Sequence, residues 1–292
     1  MRVHHLNCAT MCPPARSMIN GDGSFLERGT MVCHCLLIET DQGLCLVDTG
    51  LGMGEMTDAA GRLGKMFLLM TAPRLDPEET ALRQVARLGF KAEDVRHIVV
   101  THLDLDHAGG LPDFPRARVH VYGDEYDAAM GGATLMERNR YRRVHWAHGP
   151  LWSRCATGGE PWFGFDCVRQ LEGLPPEILM VPLQGHTRGH CAIAVETGAA
   201  QGARDAGSTE RAGARWLVHA GDAYFHHGEM DPEGRRCTPG LDAFQRIVEV
   251  DGAARRKNQE RLRILARDHA AEVAVFCAHD PVELTRHQAS AS

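Results

Sequence analysis

Four apolar segments of this chain each end in histidine or aspartate beside small residues, and this recurrence constrains the fold more than any other feature. Imidazole and carboxylate groups are ligands that suit zinc, iron and manganese ions. Neighbouring glycines let the backbone turn tightly and bring such side chains together. The pattern predicts strands whose ends gather a metal site at one edge of a scaffold. The four segments are His102-Leu103-Asp104-Leu105-Asp106-His107, Gly185-His186-Thr187-Arg188-Gly189-His190, His219-Ala220-Gly221-Asp222 and Cys277-Ala278-His279-Asp280.

Strands alternate with helices along the rest of the chain, which favours an α/β or α+β class with buried sheets. Runs rich in Val, Leu and Ile predict strands, as in residues 31–38, 95–100 and 178–182. No internal repeat or linker divides the 292 residues, so we expect a single domain over 1–292. Within it, residues 131–163 predict an irregular excursion, and the Gly/Ala/Ser-rich residues 197–214 predict a flexible surface loop.

Composition narrows the class of protein further. The net charge of −6 argues against a nucleic-acid partner, because phosphate binding needs a basic surface. No apolar run has the length of a membrane span, and the first residues lack the apolar core of a signal peptide, so we expect no membrane partner and a cytoplasmic location. Ten cysteines predict free, mostly buried thiols in a chain of this length. An auxiliary metal or redox role for Cys8 and Cys12, near His4 and His5, is the alternative.

The four segments, in this order, resemble the metallo-β-lactamase superfamily. Its pattern is HxHxDH, then a GHTxGH-like loop, an aspartate after a strand and a late histidine, and Asp48-Thr49-Gly50 is similar to its early Asp-Thr-Gly turn. The resemblance extends from about residue 31 to 281. It implies an α+β fold, an αββα sandwich of two mixed β-sheets flanked by helices, with metals at the edge between the sheets.

The resemblance also implies a ligand set for two divalent metal ions. Carried over position by position, the first ion takes His102, Asp104 and His186, the second takes Asp106, His107 and His279, and Asp222 bridges them. His190 is implied to be a structural neighbour. Zinc is the expected metal.

Asp104 departs from the family pattern, which has a third histidine at this position of the motif. In one interpretation Asp104 is a carboxylate ligand whose added charge favours harder ions such as iron or manganese. In the other it does not coordinate, and the first site is weak or empty.

The resemblance implies hydrolysis of a small-molecule substrate. Two cations lower the pKa of a bridging water, and Asp106 would orient the resulting hydroxide and carry a proton. The chain is most similar to the N-acyl homoserine lactonase group, through its size, the frame from Thr101 to Gly110 and the closing His279-Asp280-Pro281. Tyr224 would then bind the substrate carbonyl or simply pack in a wall, and residues 66–70 would line an acyl groove or face the core.

Alternatives to a lactonase or esterase remain at this stage. Another hydrolase of the superfamily, such as a thioesterase, phosphodiesterase, β-lactamase or hydrolytic dehalogenase, uses the same metal chemistry, because fold alone does not select the substrate. A diiron oxidoreductase or a catalytically silent binding protein is the third class. The arginine- and tryptophan-rich residues 138–162 predict either a cap over the site or a homodimer surface.

Overall fold

The apolar runs of the sequence form two β-sheets in the computed structural model, which describes residues 1–158, 160–168, 170–198 and 214–290. The first sheet contains six strands, namely β1 (Arg2–Met11), β2 (Met31–Thr40), β3 (Gly43–Val47), β4 (Val95–Val99), β5 (Arg118–Tyr122) and β6 (Leu151–Cys155). Four strands form the second, namely β7 (Ile178–Pro182), β8 (Cys191–Glu196), β9 (Trp216–His219) and β10 (Val273–Phe276).

Both sheets are mixed, as expected. In the first sheet, β1, β2 and β3 pair antiparallel, whereas β3, β4, β5 and β6 pair parallel in that order. In the second sheet, β10 pairs parallel with β9, and β9, β8 and β7 pair antiparallel. The parallel strands β3, β4 and β5 therefore end at one edge, where the ligand-bearing loops begin.

Helices flank the sheets and begin where the sequence supplies capping groups. Thr80 accepts a hydrogen bond from the backbone at the start of α5 (Ala81–Arg87), and Asp251 accepts two at the start of α10 (Gly252–Asp268). No helix in the described residues is long and apolar enough to cross a membrane. In that part of the chain the helices are α1 (Arg16–Ile19), α2 (Met53–Thr57), α3 (Ala59–Leu63), α4 (Lys65–Thr71), α5 (Ala81–Arg87), α6 (Leu105–Ala108), α7 (Gly123–Gly131), α8 (Leu135–Arg140), α9 (Pro239–Val248), α10 (Gly252–Asp268) and α11 (Pro281–Ser290).

Alternation of side chains along the strands produces four layers. Leu36 and Ile38 on β2 pack between the two sheets with Phe276, whereas Leu37 faces the opposite side, with Val85 of α5. The outer face of the second sheet packs against α10. Since strand side chains alternate with a period of two, each central strand contributes to two apolar layers. This is the predicted αββα sandwich.

Residues 131–163 contain more regular structure than the sequence indicated. They include α8 and β6, and β6 pairs in parallel with β5 at the edge of the first sheet. The prediction of an irregular excursion is wrong where α8 and β6 lie. The sequence did not indicate β6 because a short edge strand with exposed positions lacks the buried apolar run that marks a central strand. The predicted flexible loop falls mainly on residues 199–213, which lie outside the described residues.

Most cysteines occupy apolar positions. Cys12 and Cys237 are half-buried, and the remaining eight are buried. The histidines near Cys8 and Cys12 have other partners: the ring of His4 contacts Glu39, and that of His5 contacts His34. These contacts favour the interpretation of small apolar thiols.

Low pH should destabilise the fold through a half-buried histidine pair. The rings of His5 and His287 stack with centroids 4.6 Å apart. Burial, reinforced by neighbouring positive charge, lowers the pKa of His5 to about 3 and that of His287 to about 4. Both folded-state values lie below the unfolded value near 6.5, so their stabilising effect is complete above about pH 6.5 and is lost as the pH falls through the folded values. We expect the unfolding temperature to drop between pH 7 and pH 4.5.

The variant His287→Phe tests this origin, because phenylalanine can stack but cannot titrate. Its unfolding temperature should fall less steeply with pH than that of the parent, by a few degrees over the range. His269→Phe, at a position where the histidine side chain is 39% exposed, is the control and should follow the parent. Equal slopes for His287→Phe and the parent would contradict the assignment.

Candidate metal centre and cavity

The seven predicted metal ligands meet at one edge of the two sheets. His102 follows β4, and the short helix α6 carries Asp106 and His107. His186, Asp222 and His279 follow β7, β9 and β10 of the second sheet. All of their side chains are largely buried. The structure thus brings together, from both sheets, every ligand that the sequence predicted.

Asp222 lies at the middle of this cluster. Its Oδ1 atom is 3.2 Å from His107 Nε2 and 3.1 Å from His279 Nε2. Its Oδ2 atom is 3.3 Å from His186 Nε2 and 3.8 Å from His102 Nε2. The two oxygens of one carboxylate therefore face two separate sets of ring nitrogens, which is the arrangement of a bridging ligand.

The other two aspartates each join one set. Asp104 Oδ2 lies 3.4 Å from His102 Nε2 and 3.1 Å from His186 Nε2. Asp106 Oδ2 lies 3.6 Å from His279 Nε2. We name the two groups by position: the first set is His102, Asp104 and His186, and the second set is Asp106, His107 and His279, with Asp222 shared between them.

Buried polar atoms without partners show that this cluster suits a cation. Among the described residues, His102 Nε2, His107 Nε2 and Asp222 Oδ1 are buried and have no hydrogen-bond partner. Such atoms are rare in folded proteins because leaving them unsatisfied costs free energy. His102, His107 and Asp222 each offer a ligand atom within 4.8 Å of the other two, and cations bound in the two sets would satisfy these atoms. Nitrogen and carboxylate oxygen donors suit zinc and other divalent transition metals.

Hydrogen bonds on the far side of three of the four rings aim Nε2 at the centre, whereas the buried His186 Nδ1 has no partner among the described residues. His107 Nδ1 lies 2.8 Å from Asp48 Oδ2, and His279 Nδ1 lies 2.7 Å from the carbonyl oxygen of Val32. His102 Nδ1 lies 2.9 Å from the hydroxyl of Thr101. Partners of this kind fix ring orientation in metal sites. They leave Nε2 of these three rings directed at the cluster, where it can bind a cation.

Asp48 also fixes the start of the ligand run. It accepts hydrogen bonds from the backbone and hydroxyl of Thr101, both at 2.7 Å. Its backbone has a φ of 56°, an uncommon conformation for a residue other than glycine. Burial would raise the pKa of its carboxyl, but His107 holds that pKa below its ordinary value. The Asp-Thr-Gly turn is therefore part of the site and not only a turn.

His190 and Glu125 support the ligand loops from behind. Asp222 N donates to His190 Nε2 at 2.9 Å, in agreement with a structural role for this histidine. Glu125, on α7, is fully buried and accepts from the Leu103 backbone at 2.9 Å and from the Thr187 hydroxyl at 2.6 Å. Sequence reasoning missed Glu125, because an acidic residue in the first turn of a helix is typical of a solvated surface.

Arg140 is a second residue that the sequence did not single out as part of the site. Its Nε and Nη2 atoms donate to the two carboxylate oxygens of Asp104, at 2.6 and 2.8 Å. Burial would raise the pKa of Asp104, but Arg140 holds it well below the ordinary range. Burial and then Arg140 lower the pKa of His186 to about 3. The first set therefore contains a charged carboxylate and a neutral imidazole at neutral pH.

At the Asp222 carboxylate, burial and the neighbouring charges shift the pKa values in opposite directions. Burial would raise the pKa of Asp222, but His279, His107 and His186 hold it well below its ordinary range. Burial would lower the pKa of His107, whereas Asp222 and Asp48 raise it well above the ordinary value. Asp222 is therefore an anion at neutral pH, as a metal-bridging ligand must be.

An apolar cavity of about 530 Å³ opens onto this cluster. Asp104, Asp106, His186, Asp222 and His279 lie along its polar part. The rest of its wall is mainly apolar and includes Met31, Leu63, Met66, Phe67, Met70 and Phe225. Residues of α4 therefore line a groove, and the alternative of a helix that faces only the core does not hold, since Met66 is 69% exposed.

Tyr224 does not reach this cavity. It is fully buried, and its hydroxyl donates to Glu283 at 2.9 Å. The neighbouring Phe225 lines the cavity instead. Of the two interpretations of Tyr224, packing in a wall is the one that fits these contacts.

Cys33 is a further neighbour of the second set. Its sulfur and the ligand atoms of Asp106 and His279 all lie within 4.8 Å of one another. The sequence indicated only a small buried thiol at this position. Nothing in the spacing of Cys33 and Cys35 distinguishes the two, and only the fold places one of them at the site.

Comparison with known proteins gives matches over most of the chain. The family model described as the metallo-beta-lactamase superfamily matches residues 28–199. A probable metallo-hydrolase of Mycobacterium tuberculosis is 42% identical over 282 residues, which cover 96% of this chain and 81% of that protein. An N-acyl homoserine lactonase of Bacillus thuringiensis is 25% identical over 163 residues, 56% of this chain and 58% of that one.

Solved structures share the fold at low sequence identity. The B. thuringiensis lactonase AiiA, in a mutant with N-decanoyl-L-homoserine bound at the active site, has a TM-score of 0.68 and 18% identity, covering 97% of this chain and 95% of that chain. AidC, a dizinc quorum-quenching lactonase with a product bound, has a TM-score of 0.58 and 15% identity, covering 96% and 87%. These similarities confirm the two-sheet architecture.

Asp48→Asn should weaken metal binding while keeping the size of the side chain. An amide presents one acceptor oxygen where the carboxylate presents two, so it cannot accept from the Thr101 backbone N–H at Oδ1 and contact His107 at Oδ2 together. We expect metal affinity to fall by about 10- to 100-fold. Competition with a chromophoric chelator measures this, with exposed Asp41→Asn as the matched control. Unchanged affinity in Asp48→Asn would show that the turn does not orient the ligands.

Proposed function

Because this chain belongs to the metallo-beta-lactamase superfamily and is a metal-dependent hydrolase of that fold, we propose that it cleaves the ester bond of a lactone or related carboxylic ester that carries an apolar chain. The observation that carries this proposal is the mainly apolar cavity whose polar part is the ligand cluster. An apolar substituent bound in this cavity would be removed from contact with solvent. The ester bond would then lie beside the carboxylates and imidazoles.

The walls of the cavity suit a flexible acyl chain. Met66, Phe67 and Met70 project from one helix, α4, and Phe225 lies near the ligands. Methionine side chains adapt to chains of differing shape. Each buried methylene group contributes about 0.8 kcal/mol, so chain length should influence binding strongly. The structural likeness to lactonases with acyl-homoserine products bound supports the same substrate class.

We further propose that the two ligand sets hold two divalent cations, with zinc as the metal. The donors are imidazole and carboxylate groups in both sets, which suit zinc. Such cations, when bound, polarise a carbonyl oxygen and make a water molecule more acidic near neutral pH. Asp222 contributes one oxygen to each set and thereby fixes their separation.

Asp106 is the residue placed to handle a proton. Its side chain is 13% exposed and lies on the cavity wall, so it can contact both the ligand cluster and a substrate. In this role it accepts a hydrogen bond from the attacking water and holds it toward the ester carbon. The buried hydroxyl of Tyr224 has no part in this step, because it donates to Glu283.

A lactone panel of increasing acyl length tests the substrate class. We expect kcat/KM to rise with chain length until the cavity is filled. Met70→Trp should reduce kcat/KM for long-chain lactones by about tenfold or more and leave short-chain lactones little changed, because the indole would shorten the groove. Leu69→Trp is the matched control, since Leu69 lies on the same helix, is 75% exposed and does not line the cavity.

Two results of this experiment would overturn the substrate proposal. One is equal hydrolysis of short and long chains by the parent. The other is hydrolysis of thioesters or phosphodiesters without any activity on lactones or carboxylic esters, which would identify a different hydrolase of the superfamily.

Asp222→Ala should remove metal and activity together. The methyl group supplies no ligand, and the facing imidazoles lose the anion that draws cations to both sets. Metal content by mass spectrometry and hydrolysis rates on the same sample measure the two effects, with exposed Asp268→Ala as the control. Full activity in Asp222→Ala would exclude it as the shared ligand.

A further inference from the structure

The positively charged guanidinium of Arg140 lies beside the first ligand set. Arg140 is the last residue of α8, and its side chain is only 10% exposed. Besides its paired bonds to Asp104, its Nη1 atom donates to the backbone oxygens of His186 at 3.1 Å and Val248 at 2.8 Å. Four bonds in a planar fork hold the guanidinium in one position. The guanidinium is therefore held at the site.

The atoms that Arg140 contacts are the ones that a metal ion would need. Its Nη2 atom lies 2.8 Å from Asp104 Oδ2 and 2.7 Å from His186 Nε2. A metal ion binds an imidazole nitrogen at roughly 2.0–2.1 Å, through the same lone pair that accepts a hydrogen bond. His186 Nε2 can therefore serve the guanidinium or an ion at one time. Two positive charges this close would also repel each other.

The second set has no such competitor. Among the described residues, the ion pairs of Asp106 and Asp222 are all with histidines. His107 Nε2 and Asp222 Oδ1, both in contact with this set, have no hydrogen-bond partner within the described part of the chain. The two halves of the centre, which look equivalent in the sequence, therefore differ in whether a protein cation already occupies the donor atoms.

We propose that Arg140 competes with a metal ion for Asp104 and His186, so that the protein binds one ion firmly in the second set and another only weakly in the first. The negative charge that Asp104 adds is already balanced within the protein by the guanidinium. Binding an ion in the first set requires Arg140 to withdraw from Asp104 Oδ2 and His186 Nε2. This inference rests on the proposed metal centre and not on the proposed substrate.

Zinc titration of the metal-free protein tests the inference without any substrate. Equilibrium dialysis against buffered free Zn²⁺, followed by mass spectrometry of the metal content, gives the occupancy at each concentration. We expect the parent to bind its first ion at a free concentration at least 100-fold lower than its second. Binding of two ions per chain in a single step would overturn the proposal. This test uses the parent protein alone and needs no variant.

Removal of the guanidinium should strengthen the weak step alone. Arg140→Met keeps much of the side-chain volume and removes the charge, so we expect the second ion to bind at least tenfold more tightly while the first is unchanged. Arg140→Lys keeps a charge but cannot form the paired bonds to Asp104, and it should give an intermediate affinity. Arg142→Met is the control, because Arg142 lines the same cavity and donates a hydrogen bond to the backbone oxygen of Leu63.

Cobalt provides a second readout that does not depend on catalysis. The visible absorption of Co²⁺ should develop in two separated phases in the parent and in overlapping phases in Arg140→Met. If Arg140→Met and Arg142→Met shift the weak step equally, a general charge effect and not competition at the ligand atoms explains the data, and the proposal fails. Failure of the lactone panel together with two-step titration would leave this inference standing and remove only the substrate proposal.

Discussion

The carboxylate of Asp222 is the contact on which the functional half of this molecule depends. One oxygen faces His107 and His279, and the other faces His186 and His102. These imidazoles come from loops of both sheets, so the carboxylate fixes the position of one sheet edge against the other. A buried anion is tolerable only where opposite charge or a cation compensates it. The requirement for such compensation explains why so many titratable groups are concentrated there.

Rigid hydrogen-bonded supports hold the ligands in place. Asp48 connects β3 to the run that follows β4, through bonds to Thr101 and His107. Glu125 connects the loop of Leu103 to the loop of Thr187. Each support links segments that are distant in the sequence and accepts several donors with one carboxylate. Ligand positions are thereby set before any ion binds, which reduces the ordering cost of binding.

Apolar runs in the sequence predicted most central strands, whereas the four layers and the seven residues that the structure gathers at the sheet edge were implied by the resemblance to a known family. Apolar runs identify strands that are buried on both faces, and His or Asp after such a run identifies a strand end. The edge strand β6 and the short helix α8 leave no such mark, since exposed positions interrupt their periodicity. Arg140 is the last residue of α8, so its position at the site could not be predicted while that helix itself was not predicted. The partners of Tyr224 and Cys33 depend on three-dimensional packing, which no spacing in the sequence encodes.

The bond between His279 Nδ1 and the carbonyl of Val32 joins the two ends of the domain at the metal centre. During synthesis Val32 leaves the ribosome well before His279, so the second ligand set is incomplete until the segment after β10 has been made. The complete second set is therefore available to an ion only after β10 has been made. The residues from His102 to His107 belong to a complete site only when the loops after β9 and β10 lie beside them.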